Sequence, residues 1–444
     1  MSDVQLDLNN YDRVRVLFPD HLGLARGKYL PTHLAANGTG HCATLFGLGY
    51  DRSMIDAPGS YLSEGLIDFH ATMDPMTLRP GWEDDATAVA VADIAMHGEP
   101  FPYSARTVAQ NAIGAWADLG YTVQLGVELE AYLLEPDDVG GWKRYENPRA
   151  MVYGTGPSND PTGTIDAIMR TAVECGFRPE SINAEYDESQ YELTLEYGDA
   201  LAMADDIFLF RVMAREIALS RGLDLTFLGK PFADLSGTGV HFNISLLDAD
   251  GNNVLADESA DDGLSVLAKQ AIAGLCAHHQ ALVAIAAPTV NAYRRLQPAQ
   301  LTGYWANWGY DHRCVASRIP SARGAGTRIE SRVADGSVNI HTGLAAVLTA
   351  ARLGVVNGLD CPPAETGDGF DDVNTDVRAA DDLNGALDDL QADAEFAAAI
   401  GQSFVDNFVA NKRAEWERFI DAEQSFDGSQ PPTGWELNEY LMYH

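Results

Sequence analysis

Four short segments carry acidic, imidazole or guanidinium groups at every second position. In residues 122–132, Val123, Leu125, Val127 and Leu129 belong to an alternating pattern that also carries Glu128 and Glu130. Period-two alternation marks a half-buried strand whose successive side chains point to opposite faces, so Glu128 and Glu130 are predicted to be neighbours on one face. Residues 190–196 repeat the pattern around Glu192, with Glu185 just ahead of it. Residues 239–245 align His241, Asn243 and Ser245, and residues 328–332 align Arg328, Glu330 and Arg332. Carboxylates crowded in this way repel one another unless cations sit among them. Hard cations such as magnesium and manganese favour oxygen ligands, and guanidinium groups match phosphate or carboxylate oxygens. The chemistry available to this set is metal-assisted phosphoryl transfer.

A chain of 444 residues, 46% of them hydrophobic, has material for two or three packed units. Residues 11–100 read as strand-rich, with strands over residues 12–18 and 86–93. A proline-rich stretch at residues 98–103 precedes a helical pattern at 104–119. Helices and strands then alternate. Long helices are predicted over 200–222 and 264–279, a strand over 223–228, and a largely helical final 60 residues behind an acidic, glycine-rich loop at 360–376.

The net charge is −36, and only five of the 29 basic residues are lysine. Self-repulsion of this size is screened by high salt, so the expectation is a cytoplasmic enzyme of a salt-accumulating organism. Such acidity argues against nucleic-acid binding. Five scattered cysteines without C-x-x-C spacing read as free thiols. No basic leader is visible and the apolar run near residues 281–288 is too short to span a bilayer, so no membrane role is expected.

The order of the motifs resembles the glutamine synthetase family over nearly the whole chain. They run Glu128-x-Glu130, Glu185 and Glu192, Gly237-Thr-Gly-Val-His241, Pro288-Thr-Val-Asn-x-Tyr-Arg-Arg295, Arg313 with Arg318-Ile-Pro320, and Arg328-Ile-Glu-x-Arg332. The resemblance implies an α+β fold, with an N-terminal β-grasp domain over residues 1–102. A catalytic α/β domain around a curved antiparallel sheet would occupy 103–444. It implies ATP, glutamate and a small primary amine as substrates. It also implies a homododecamer of two stacked hexameric rings with active sites between subunits.

By the same resemblance, Glu130, Glu185 and Glu192 would hold one Mg2+ or Mn2+, and Glu128, His241 and Glu330 a second, with a third metal site possible in the family. Arg295 and Gly237 would bind glutamate. Arg313, Arg318 and Arg328 would hold ATP phosphates, and Arg332 the substrate carboxylate or its phosphorylated form. Asn243 and Ser245 would face the nucleotide.

Departures from the family pattern bear on the amine. Ammonia-using members carry a loop glutamate where this chain has Leu301, and the loop over residues 296–303 contains no acid. The aspartate that accompanies that glutamate has only Asp51 as a counterpart. The segment Trp305-Ala-Asn-Trp-Gly-Tyr-Asp-His-Arg313 resembles the branch that glutamylates polyamines and other primary amines, with putrescine as the first expectation. Trp305 or Trp308 would then hold the amine by cation–π contact. Ammonia-dependent synthesis of glutamine is the second enzymatic expectation, and a non-catalytic ring the third. Asn243 stands where the family places a histidine, Ser236 where it places a glutamate-binding asparagine, and Glu188-Ser189 where it places Pro-Gly.

Overall fold

The computed structural model describes residues 7–138 and 140–444. Two sheets organise the chain. The first is built from β1 (Arg13–Pro19), β2 (Ala25–Pro31), β3 (Thr39–Cys42), β4 (Asp68–Met73) and β5 (Thr87–Met96), in the order β2-β1-β5-β4-β3, with two short strands added along β5. β1 and β5 run parallel at its centre and the flanking pairs are antiparallel. One face closes a small aromatic core containing Phe18, Phe46, Phe69 and Phe101. The other face sends Leu17, Val89 and Val91 into the large core of the rest of the chain.

The second sheet contains β6 (Thr122–Pro136), β7 (Pro179–Ala184), β8 (Gln190–Leu195), β9 (Val240–Leu247), β10 (Trp308–Tyr310), β11 (Ser317–Ile319) and β12 (Ile329–Ser331). Their order is β7-β8-β6-β9-β12-β11-β10. All these pairs are antiparallel except the outermost, β10 with β11, which is parallel. In β6 the apolar positions 123, 125, 127 and 129 are buried while the residues between them stay half-buried. That is what an alternating strand does when one face packs on helices and the other lines a cleft.

Helices α1 (Ala105–Ala117), α2 (Ala200–Ser220), α3 (Val266–Ala277) and α4 (Ile340–Val356) supply the packing layer. The Asp199 carboxylate caps α2 by accepting from the Leu201 and Ala202 N–H groups. α4 is buried at nearly every position. It lies against α3 where Gly274 meets Gly354: a Cβ on Gly354 would fall 2.0 Å from the Gln270 carbonyl oxygen, so only glycine allows this approach. The predicted helix over 264–279 breaks at His278, and a separate helix, His279–Ala286, continues from it. His278 and His279 are both buried: His278 Nδ1 lies 2.6 Å from Asp393 and His279 Nε2 lies 3.2 Å from the Tyr304 carbonyl oxygen. All five cysteines are free thiols. No helix among the described residues is long and apolar enough to cross a membrane.

The first sheet is fastened to the helices by buried charge. Arg106 on α1 donates to Asp205 on α2 at 2.8 Å, to Asp74 at 2.7 Å and to Asp93. His341 on α4 lies 2.9 Å from the same Asp205 carboxylate. Arg15 of β1 pairs with Glu216 of α2 at 2.7 Å, and Trp82 donates to Glu216 at 2.5 Å. Removing one partner of a buried pair leaves the other charge uncompensated, at a cost of about 3–5 kcal/mol. Arg106→Leu is therefore expected to destabilise the fold by about that amount in chemical denaturation, and a midpoint equal to the wild type's would show that the cluster contributes nothing.

Burial holds His21 and His279 neutral, with pKa values down at about 4. The folded values lie below the unfolded value of about 6.5. Their contribution to stability is therefore complete above pH ~6.5 and lost as the pH falls toward 4. The melting temperature is expected to drop across that window, less steeply in His279→Gln; equal slopes for the two proteins would rule the His279 contribution out.

Candidate active site

Strand register brings the acidic groups together. Glu192 of β8 sits directly opposite Glu130 of β6, and His241 of β9 opposite Glu128. Asn243 of β9 sits opposite Glu330 of β12, which in turn faces Arg318 of β11. Five strands thus converge on one patch of sheet.

Ligand atoms of Glu128, His241 and Glu330 all lie within 4.8 Å of one another. His241 Nδ1 is 3.1 Å from Glu128 and 3.7 Å from Glu330, and its Nε2 is 3.9 Å from Glu130. The Asn243 side chain joins two parts of the site. Its amide donates to Glu128 at 3.0 Å while its oxygen accepts from Arg328 Nε at 3.0 Å. Glu330 is fully buried between two arginines, Arg318 at 2.9 Å and Arg332.

Glu130, Glu185 and Glu192 are less tightly gathered. Glu130 accepts from the Gly239 N–H at 2.7 Å, and Glu185 from the Tyr186 N–H at 2.5 Å. Burial, and then repulsion from Glu128, Glu185 and Glu130, pushes the Glu192 carboxyl up to about 7. Burial followed by repulsion from Glu130 raises Glu185. Burial would raise Glu128 too, but hydrogen bonds from His241 and Asn243 outweigh it and hold that carboxyl at about 2. A patch that penalises its own ionisation and offers oxygen and imidazole donors fits a hard divalent cation.

The remaining predicted residues surround this patch. Arg295 is buried and donates to the carbonyls of Val333 at 3.0 Å and Arg332 at 3.4 Å. Its chain runs against Gly237, where a Cβ would come within 2.7 Å of Arg295 Cγ. Arg313 is exposed, without an ion pair among the described residues, and its charge acts on Glu185 and Glu192. A cavity of about 370 Å³ opens beside Glu128 and Glu192, lined by Asn243, Ser245 and Arg328 together with Thr194 and Tyr197. Trp305 is half-buried and packs edge-on against Tyr304 with ring centroids 5.0 Å apart. Trp308 is buried and its indole N–H donates to the Pro362 carbonyl oxygen at 2.8 Å, so it serves as a core aromatic and not as an open wall. Asp51 is held by Ser53 Oγ at 2.6 Å and by Arg418 at 3.2 Å.

The sequence reading did not single out Thr194 and Tyr197 of the cavity, although Thr194 shares the period-two face of Glu192. It also missed the Gly239 N–H on Glu130, a backbone group that carries no side-chain signal.

Residues 102–440 match the model for the catalytic domain of glutamine synthetase. The chain belongs to the glutamine synthetase family. It is 30% identical to a glutamine synthetase of Halobacterium salinarum, over 98% of this chain and 95% of that one. It is also 30% identical to the gamma-glutamylethanolamide synthetase GlnA4 of Streptomyces coelicolor, over 96% of this chain and 92% of that one. Among solved structures, the ligand-free form of a protein named GmaS superposes with a TM-score of 0.82 at 26% identity, covering 99% of both chains. The protein is therefore an ATP-dependent ligase of the glutamine synthetase type, in a family that uses divalent metal ions and forms oligomers.

Loss of a ligand carboxylate's charge is expected to weaken metal binding by at least the roughly 10–100-fold that loss of an outer-shell partner costs. Glu128→Gln should show this for Mn2+ in calorimetric titration, and a dissociation constant like the wild type's would remove Glu128 from the metal set.

Proposed function

We propose that the protein joins the γ-carboxyl of glutamate to a primary amine, with putrescine or a related polyamine as the amine. The observation that carries this reading is the loop over residues 296–303: it contains no acid, and its Leu301, where ammonia-using relatives place a glutamate, is half exposed. A site without that acid lacks the group that helps take a proton from ammonium, whereas an organic amine can be held by its alkyl body. The similarity to a gamma-glutamylethanolamide synthetase supports an organic amine.

In this reading the γ-phosphoryl group of ATP passes to the glutamate side chain and ADP leaves. The amine nitrogen then attacks the acyl carbon of the γ-glutamyl phosphate, phosphate departs and one proton is released. Glu130, Glu185 and Glu192 would hold one divalent ion and Glu128, His241 and Glu330 the other. Bound there, the ions would neutralise phosphate oxygens. Arg295 and Gly237 would orient glutamate. Arg313, Arg318 and Arg328 would face the charge that spreads over the transferring group, with Arg332 on the acyl phosphate. Asn243 and Ser245 would border the nucleotide. The assembly in this reading is a cytoplasmic homododecamer.

Glutamine synthesis from ammonia is the second reading, favoured by relatives named as glutamine synthetases. Phosphate release with ATP, Mg2+ and glutamate, in about 2–3 M KCl to screen the acidic surface, separates the two. Turnover with putrescine or spermidine and none with ammonium is expected, with ethanolamine as the comparison amine, and turnover with ammonium alone would establish the second reading. Leu301→Glu is expected to raise the ratio of ammonium to diamine use; an unchanged ratio would show that the loop acid does not govern the choice.

A further inference from the structure

Trp308 lies in the core, and the Trp305 ring is packed against Tyr304. Exposed aromatic rings instead flank Glu185. Tyr186 follows it directly and is 75% exposed. Tyr153, also exposed, donates its backbone N–H to the Ala184 carbonyl oxygen at 2.8 Å. The next residue, Asp187, is half-buried. One oxygen of its carboxylate, Oδ2, accepts from the Ser236 N–H at 2.5 Å and from the Tyr132 hydroxyl at 3.3 Å. Those contacts hold Asp187 against the glycine loop, one residue from Gly237.

Among the described residues the other oxygen accepts no hydrogen bond and no cation lies within ion-pair distance of the carboxylate, although the Lys230 ammonium acts on it at longer range. The two neighbouring basic groups are spent elsewhere. Arg144 pairs with Glu188 at 2.6 Å, and the Lys230 ammonium donates to the Leu235 carbonyl oxygen. A half-buried carboxylate with no cation in contact, one residue from an exposed aromatic and two from a metal-directed glutamate, can serve as a recognition element for an ammonium group.

We propose that Asp187 and Tyr186 bind the second ammonium of the amine substrate, so that the amine is a diamine and not an amino alcohol or a monoamine. This rests on the amine-ligase reading and narrows it. Asp187 would accept a hydrogen bond from the distal ammonium and the Tyr186 ring would cover its alkyl chain. The bland alternative is that Asp187 only clamps the turn over residues 185–190 to the glycine loop.

Asp187→Asn separates these roles, because an amide oxygen still accepts from the Ser236 N–H while the charge is gone. The probes are putrescine and n-butylamine, which share a four-carbon chain and differ by one ammonium group, together with ethanolamine and ammonium. The expected result is that kcat/KM for putrescine relative to n-butylamine falls about tenfold in Asp187→Asn, through KM for the diamine, as befits a hydrogen bond to a charged group. Tyr186→Ala should lower the same ratio. A ratio within about twofold of the wild type's, whatever the common loss, would overturn the proposal and leave Asp187 as a clamp. A wild-type enzyme that uses ammonium but neither organic amine would instead remove the amine-ligase reading itself.

Discussion

The mutual repulsion of five carboxylates on one sheet is the constraint that this structure must satisfy. Glu128, Glu130, Glu192 and Glu330 come from three strands that pairing sets close together, and Glu185 joins them from the turn just after β7. Isolated, such a cluster would protonate or push the strands apart. It is tolerated because each carboxylate has a different partner. Glu128 takes hydrogen bonds from His241 and Asn243, Glu130 from a backbone amide, and Glu330 from two arginines. Glu192 has the least compensation, and its proton affinity is raised first by burial and then by a repulsion that metal ions would relieve.

That arrangement needs a rigid frame, because a small displacement of any strand would change the distances between charges. The frame is the layer of α2 and α4 packed behind the sheet, closed by the Gly274–Gly354 contact between α3 and α4. The first sheet is bound to the same helices through Arg106, Asp205 and His341 and through Arg15 and Glu216. The chain thus spends buried arginines in two ways. Those at Arg106 and Arg294 hold structural elements together, the latter by pairing with Glu436 at 2.5 Å. Those at Arg318 and Arg332 balance Glu330 inside the site. In a protein of net charge −36, the arginines gathered around one cleft offset the negative charge there.

Asn243 shows how a departure from a family pattern can be read physically. An amide presents a donor and an acceptor at once, and here it uses both, on Glu128 and on Arg328. It therefore ties the metal-directed carboxylate to the arginine at the mouth of the cavity. Ser236 is a similar case: with no side-chain amide at that position, its backbone N–H is fixed by Asp187 from the opposite loop.

Residue types and alternation by themselves determined which side chains share a face, because a strand offers only two faces. Glu128 with Glu130, and His241 with Asn243 and Ser245, needed nothing more. The order of motifs likewise carried the family and its α+β architecture. What only the tertiary structure decided was which face meets which. Local pattern does not encode the pairing of Glu192 with Glu130, of His241 with Glu128, or the parallel pair β10–β11. The first two depend on register between strands as far apart in the chain as residues 128 and 241. The fate of the aromatic residues was also a tertiary matter. Trp308 reads as amine-wall material and Tyr186 lies in no motif that marks it, but burial depends on what packs against each ring, and the fold encloses the first and leaves the second open. Unpaired charge is legible only in three dimensions for the same reason: Asp187 is one acid among 65 until the positions of every neighbouring cation are known.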